Sequence, residues 1–317
     1  MTGPPLFVLG VRRSGTTLLR VMLDRNSELA VPDESYFIPQ LVHRHPRRVD
    51  PVSFLADVRR LPTLVEWNLL ADAVEERLRP GMTPGEAIGA VFAAYAGLRG
   101  KSRWGDKTPL YMQYLPLLER TFPDARFVHL VRDGRDAAVS FLSVPRGIMT
   151  EGWGHPTDAA GFARLWRTEV SAARALGRRV GVGRYLEVMY DDLVGEPTEA
   201  LRRVCAFSGL EYQSDMLDFV GRSDSARKPH QQRLNQRLTP GVRDWRTEMT
   251  PADVASFEAV AGGLLAKLGY ESGFAGDPSR GERLRLAAYR AQTAAWHGVG
   301  YAMQRSPLWR RRHPCVA

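Results

Sequence analysis

The chain has 317 residues, 44% of them hydrophobic, enough to bury a full core, and it contains no apolar run of the length that crosses a bilayer. Two cysteines, Cys205 and Cys315, exclude a disulfide framework or zinc-ligand spacing, so a reducing, cytoplasmic setting is expected. The net charge is +9, but eight arginines against the single acid Glu282 lie from Arg280 onward; residues 1–279 are nearly balanced, and nucleic-acid binding is not expected.

In chain order, Phe7 to Leu9 follow Pro4 and Pro5 and read as a short buried strand, while Leu18, Leu19, Met22 and Leu23 recur at helical spacing. The segment between them, GVRRSGTT, sets four residues between Gly10 and Gly15, as in G-x-x-x-x-G-K-[ST]. Such a turn aims backbone N–H groups and the positive end of a helix at an anion. Thr16, followed by Thr17, stands where that pattern has lysine, so the reach to a terminal γ-phosphate is missing; Arg13, beside Ser14, supplies a cation instead. The plainer alternative is a glycine turn that only packs.

The stretch AVPDESYFIPQL suits a loop at the mouth of a site. Residues 50–100 read as helical, with a capping box at Thr83-Pro84-Gly85-Glu86, and an insertion over about 40–100 is the expected substrate lid. ARFVHLVRDGRDAAVSFLS forms a second strand, turn and helix: Phe127 to Val131 are the strand, Asp133 can cap, and Arg132 falls at the strand's carboxyl end with Ser140 two turns into the helix. YLEVMY reads as a third strand through Tyr190, with helices near Ala200 to Ser208 and after the proline-containing cap Thr250-Pro251-Ala252-Asp253. Strands alternating with helices predict a three-layer α/β/α fold with a central parallel sheet, whose ligands bind at the carboxyl ends of the strands. The expected organisation is an α/β domain over 1–279 and a basic helical tail over 280–317. In that tail Leu284, Ala288, Ala291, Ala295 and Val299 share one face ahead of the cluster WRRRH; it would pack on its own domain, dock on a partner or lie on an anionic membrane surface.

Four segments together resemble the sulfotransferases that use 3′-phosphoadenosine 5′-phosphosulfate (PAPS). RRSGTTLL resembles that family's 5′-phosphosulfate loop and LVRDGRDAAVS its 3′-phosphate site, while VMYDDLV and GVRDWR are similar to its nucleotide-contacting strand end and its late closing loop. The spacing through GVRRSGTTLLRVMLDRNSELAVPDESYFIPQL is similar to the tyrosylprotein-sulfotransferase branch. The resemblance implies a P-loop-type fold and metal-independent, in-line sulfuryl transfer to a hydroxyl or amine, with adenosine 3′,5′-bisphosphate (PAP) as product. It implies that Arg13, Ser14, Gly15, Thr16 and Thr17 cradle the phosphosulfate, and that Lys107 in WGDKTPLY reaches the bridging oxygen. Arg132 and Ser140 would take the 3′-phosphate, Tyr190 the nucleotide, and Ser225 and Arg243 further nucleotide contacts. Arg135 either assists there or pairs with Asp136. Glu34, 21 positions past Arg13, falls where this branch carries its catalytic base; His43 and His45 are the other candidates, because other branches use histidine. The acceptor would be a carbohydrate, small natural product, lipid-linked sugar or peptide. Two competing readings are a P-loop kinase or nucleotide hydrolase with Asp133 ordering magnesium, and a non-catalytic module that binds adenosine bisphosphate or an anionic polymer.

Overall fold

A computed structural model describes residues 3–144, 156–220 and 243–273, with Leu284, Ala287 and Ala291 as isolated helical positions. The described residues fall into two compact units, one drawn from Met1–Gly10, Gly15–Val131 and Ala172–Pro240, the other from Val11–Ser14, Arg132–Ser171 and Gly241–Ala317.

The first unit holds the sheet. Its strands are β1 (Leu6–Leu9), β2 (Leu29–Ala30), β3 (Arg103–Asp106), β4 (Arg126–Val131) and β5 (Tyr185–Met189), all parallel, in the order β2-β3-β1-β4-β5. Alternate side chains of a strand enter opposite faces. Phe7, Leu9 and Phe127 join one cluster with Phe54, Trp67, Phe92 and Trp104, while Leu6, Val8, Val128 and Leu130 join another with Leu19, Met22, Leu201 and Val204. Every residue of β1 is buried, as a parallel strand covered on both faces requires.

The first face is covered by α2 (Ile38–Arg44), α3 (Pro51–Val58), α4 (Pro62–Glu66), α5 (Ala71–Glu75), α6 (Pro84–Leu98) and α7 (Leu115–Thr121). The expected lid is therefore a covering layer whose aromatics share the sheet's own core, with Phe92 stacked on Trp104 at 4.4 Å between ring centroids. The capping box forms as expected: Thr83 Oγ1 accepts from Glu86 N at 3.2 Å, and Glu86 Oε2 accepts from Thr83 N at 2.7 Å. Of the stretch read as a loop over 30–41, Ala30 ends β2 and only Val31 to Phe37 are loop; Pro39 at the second position of α2 suits a helix start, where its missing N–H is no loss. The opposite face is covered by α1 (Thr16–Asp24), α10 (Tyr190–Gly195) and α11 (Pro197–Ser208).

The second unit packs Val11 with α8 (Gly134–Leu142), the first half of α9 (Ala159–Val180) and α13 (Pro251–Lys267), which follows the short α12 (Trp245–Glu248). Gly134 is forced by close approach: a Cβ there would stand 2.6 Å from both Trp166 and Phe257. The tail over 280–317, Leu284, Ala287 and Ala291 apart, lies outside the described residues, as does Ser225.

Candidate active site

In the sheet, four candidate positions are the residues that directly follow a strand: Gly10 after β1, Lys107 after β3, Arg132 after β4 and Tyr190 after β5. Strands that run parallel bring their carboxyl ends to one edge, which is how residues far apart in sequence gather. β5 ends at Met189, so Tyr190 opens α10 and does not belong to the strand as the sequence reading had it.

The β1–α1 turn is shaped by its glycines. A Cβ on Gly10 would meet Thr16 Cγ2 at 2.6 Å and the Leu130 carbonyl oxygen at 2.9 Å. Gly15, at φ 88°, is the N-cap of α1, and a Cβ there would lie 2.5 Å from the Tyr190 ring. Glycine is needed on both counts, conformation and space. Because Gly15 has no capping side chain, the first-turn amides of α1 are left to an external acceptor. Arg13 is a non-glycine residue in the left-handed region, at φ 71°, a conformation kept where surrounding structure holds it.

Within the first unit, Lys107 is 1% exposed, and its Nζ lies 2.5 Å from Glu34 Oε1 and 3.3 Å from Thr17 Oγ1. Three candidates from three separate segments are thus in one cluster. Glu34 is held by its neighbours. Asp33 pairs with Arg20 at 3.4 Å, and its carbonyl accepts from Trp67 Nε1 at 3.2 Å. Ser35 is fully buried; its N–H donates to Thr108 Oγ1 at 2.9 Å, its Oγ lies 2.7 Å from Tyr111 Oη, and its carbonyl accepts from Thr63 Oγ1 at 3.0 Å. Thr108 Oγ1 in turn donates to Asp106 Oδ2 at 3.3 Å. Asp106 is buried, and desolvation pushes its carboxyl up to about 7. Asp106, Ser35, Thr108 and Tyr111 escaped the sequence reading; the one available signal was the polar run DKT, whose Asp106 ends β3.

Within the second unit, Arg13 Nε donates to Ser140 Oγ at 3.0 Å, and Arg132 Nη1 donates to the Arg13 carbonyl at 3.3 Å. Arg132 and Ser140 are both 7% exposed. Arg135 is engaged throughout. It forks onto Asp133 (3.1 and 2.7 Å), meets Glu258 at 2.5 Å, donates to the Glu271 carbonyl at 2.9 Å and lies 3.7 Å from the Trp245 ring. It pairs with Asp133 and Glu258, whereas Asp136 accepts from Trp245 N at 2.9 Å. Asp133, the magnesium candidate of the kinase reading, is occupied by Arg135 and by capping the Arg135 N–H. Arg243 pairs with Glu248 and donates to Ser143 Oγ at 3.0 Å. The alternative bases sit in local bonds: His43 Nδ1 lies 2.5 Å from the Pro39 carbonyl, and His45 Nε2 lies 3.0 Å from Asp57.

The glycine-built helix start and buried lysine of the first unit, and the guanidinium–hydroxyl pair of the second, are each donor types suited to a phosphate or sulfate group. Residues 4–214 match the model of the sulfotransferase family. The chain belongs to that family. This sulfotransferase is 26% identical over 312 residues to protein-tyrosine sulfotransferase A of Caenorhabditis elegans, covering 94% of this chain and 75% of that one. It is 27% identical over 304 residues to the nodulation protein NoeE of Sinorhizobium fredii, covering 84% of this chain and 65% of that one. Among solved structures, the sulfotransferase domain of the Synechococcus olefin synthase superposes with a TM-score of 0.59 at 25% identity, over 85% of this chain and 95% of that one. The sulfotransferase is therefore an enzyme of group transfer, with the central parallel sheet and flanking helices of its relatives.

Proposed function

We propose that the enzyme transfers a sulfuryl group from PAPS to a hydroxyl or amine acceptor, with Glu34 as the base and Lys107 and Arg13 as the cations at the reacting centre. The observation that carries this reading is the Glu34–Lys107–Thr17 cluster, which joins a carboxylate, a buried cation and the start of an anion-ready helix. The donor supplies an activated sulfuryl group. As the bond from sulfur to the departing phosphate oxygen breaks, negative charge grows on that oxygen; Lys107, Arg13 and the α1 amides meet it, each positioned donor of this type being worth about 3 to 4 kcal/mol. The bond from acceptor oxygen or nitrogen to sulfur forms as the acceptor gives its proton to Glu34, a role worth roughly 10²- to 10⁴-fold. Ser14, Gly15, Thr16 and Thr17 hold the phosphosulfate, Arg132 and Ser140 the 3′-phosphate, and Tyr190 and Arg243 further parts of the nucleotide.

The test is Glu34→Gln, followed by PAP release from PAPS in extracts that contain acceptors, with mass spectrometry for sulfate gain. The amide keeps the shape and loses the base: turnover falls by about 10²-fold or more, while the affinity for PAP stays within about threefold of wild type. Retained turnover moves the base to another residue.

A further inference from the structure

The two oxygens of the Glu34 carboxylate face different surroundings. Oε1 meets Lys107, which is 1% exposed. Oε2 accepts a hydrogen bond from the phenol of Tyr36, a side chain that is 54% exposed. Tyr36 is also one of three described non-glycine residues with positive φ, at 56°, a conformation that bulky side chains rarely adopt. Fully buried Ser35 between them is fixed to Thr108, Tyr111 and Thr63, so the backbone that carries both side chains is pinned at its middle.

A base must present one oxygen to the incoming nucleophile. Displacing the lysine would part a buried cation from its paired carboxylate, which is expensive; displacing an exposed phenol returns its hydroxyl to water. Resting on the reading above, we propose that Glu34 Oε2 is the acceptor-facing oxygen and that the Tyr36 hydroxyl is its resident occupant, a gate that the acceptor hydroxyl must replace. The phenol occupies the position of a proton-giving hydroxyl and excludes water from the base. In the absence of acceptor, a water that reached Oε2 would attack the same sulfur: its oxygen bonds to sulfur, the sulfur–phosphate oxygen bond breaks, its proton passes to Glu34, and sulfate and PAP leave. Tyr36 holds this loss down.

The experiment is PAP release from PAPS with water as the only acceptor, in wild type, Tyr36→Phe, Tyr36→Leu and the double variant Glu34→Gln/Tyr36→Phe. Stabilisation by PAP in a thermal melt verifies that each variant is folded. Loss of one hydrogen bond to a charged group corresponds to a rise in hydrolysis of about tenfold in both Tyr36 variants. The double variant falls to the Glu34→Gln level, because the gain acts through the carboxylate. A purely structural role for Tyr36 would lower activity and would not raise it. Wild-type hydrolysis in both Tyr36 variants, or a gain that survives Glu34→Gln, overturns the gate while leaving sulfuryl transfer intact. A wild-type enzyme that binds PAP but releases none from PAPS, with or without acceptor extracts, overturns both.

Discussion

Asp106 is the residue on which the acidity of the site bears most directly on stability. Its ordinary value of 3.8 rises to about 7 because the folded chain removes the carboxyl from water; hydrogen bonds from Ser35 and Thr108 and the charge of Lys107 offset only part of that. The native state therefore holds a proton that the unfolded chain has released across pH 3.8 to 7. The stabilising contribution is complete below the lower value and is lost as pH rises through the upper one, a difference on the order of 4 kcal/mol. Asp106→Asn keeps the shape without the titration. Urea midpoints from pH 4 to 8 are expected to fall less steeply with pH in this variant than in wild type, with Asn the more stable at pH 8. If both proteins show the same slope, the carboxyl is not responsible. The same residue explains how the loop that carries Glu34 is held: Thr108 donates to Asp106 and accepts from Ser35, a chain of contacts that a leucine at 108 could not provide.

At the scale of elements, the β4–α8 junction carries two arginines with opposite assignments, Arg132 ahead of the helix and Arg135 within it. Arg135 is fully buried against Asp133, Glu258 and the Trp245 ring, and a planar fork is what those partners fit. Arg132 lies between β4 and the N-cap Asp133 and is the 3′-phosphate candidate. Arg135→Lys is expected to lower stability by about 3 kcal/mol or more, read as a urea midpoint, with little change in PAP affinity for the folded fraction. Arg132→Lys is expected to weaken PAP by about tenfold while the midpoint moves by less than about 1 kcal/mol. An exchange of the two outcomes would exchange the assignments. α8 and α1 were legible because each follows an apolar strand through a glycine turn and then shows helical periodicity. β2 and β3 were not: Leu29–Ala30 is too short to show a period, and Arg103–Asp106 is half charged. Arg103 is tolerated in the interior because its guanidinium donates to the Ser208 and Gly209 carbonyls at 2.7 and 2.8 Å, a pairing between residues more than 100 apart. Glu34 and Lys107 were found through resemblance, whereas the Ser35 network that supports them joins residues some 70 positions apart and carries no motif.

For the whole molecule, the choice of nucleotide follows from where the cations come from. A kinase loop presents its lysine from the helix that follows the second glycine, close to a γ-phosphate and its magnesium; here that position is Thr16, and the buried cation arrives from the end of β3, some 90 residues later, already paired with Glu34. On the reading proposed above, Arg132 and Ser140 prefer a second phosphate on the ribose 3′ position, which ATP lacks. A ligand that binds only the folded state raises its stability by about 2.7 kcal/mol at a concentration of 100 times Kd, which in a chain of this size raises Tm by a few degrees. PAP at such a concentration is expected to give that rise equally with magnesium and with a chelator, and ATP with magnesium a clearly smaller one. Raising the salt concentration should shrink the PAP effect, because the contacts are ionic, and should do so more in wild type than in Arg132→Lys. An ATP response equal to that of PAP and abolished by the chelator would mean that the anion cradle is organised around a metal-bound triphosphate. The roles assigned to Lys107, Arg132 and Glu34 would then fall together.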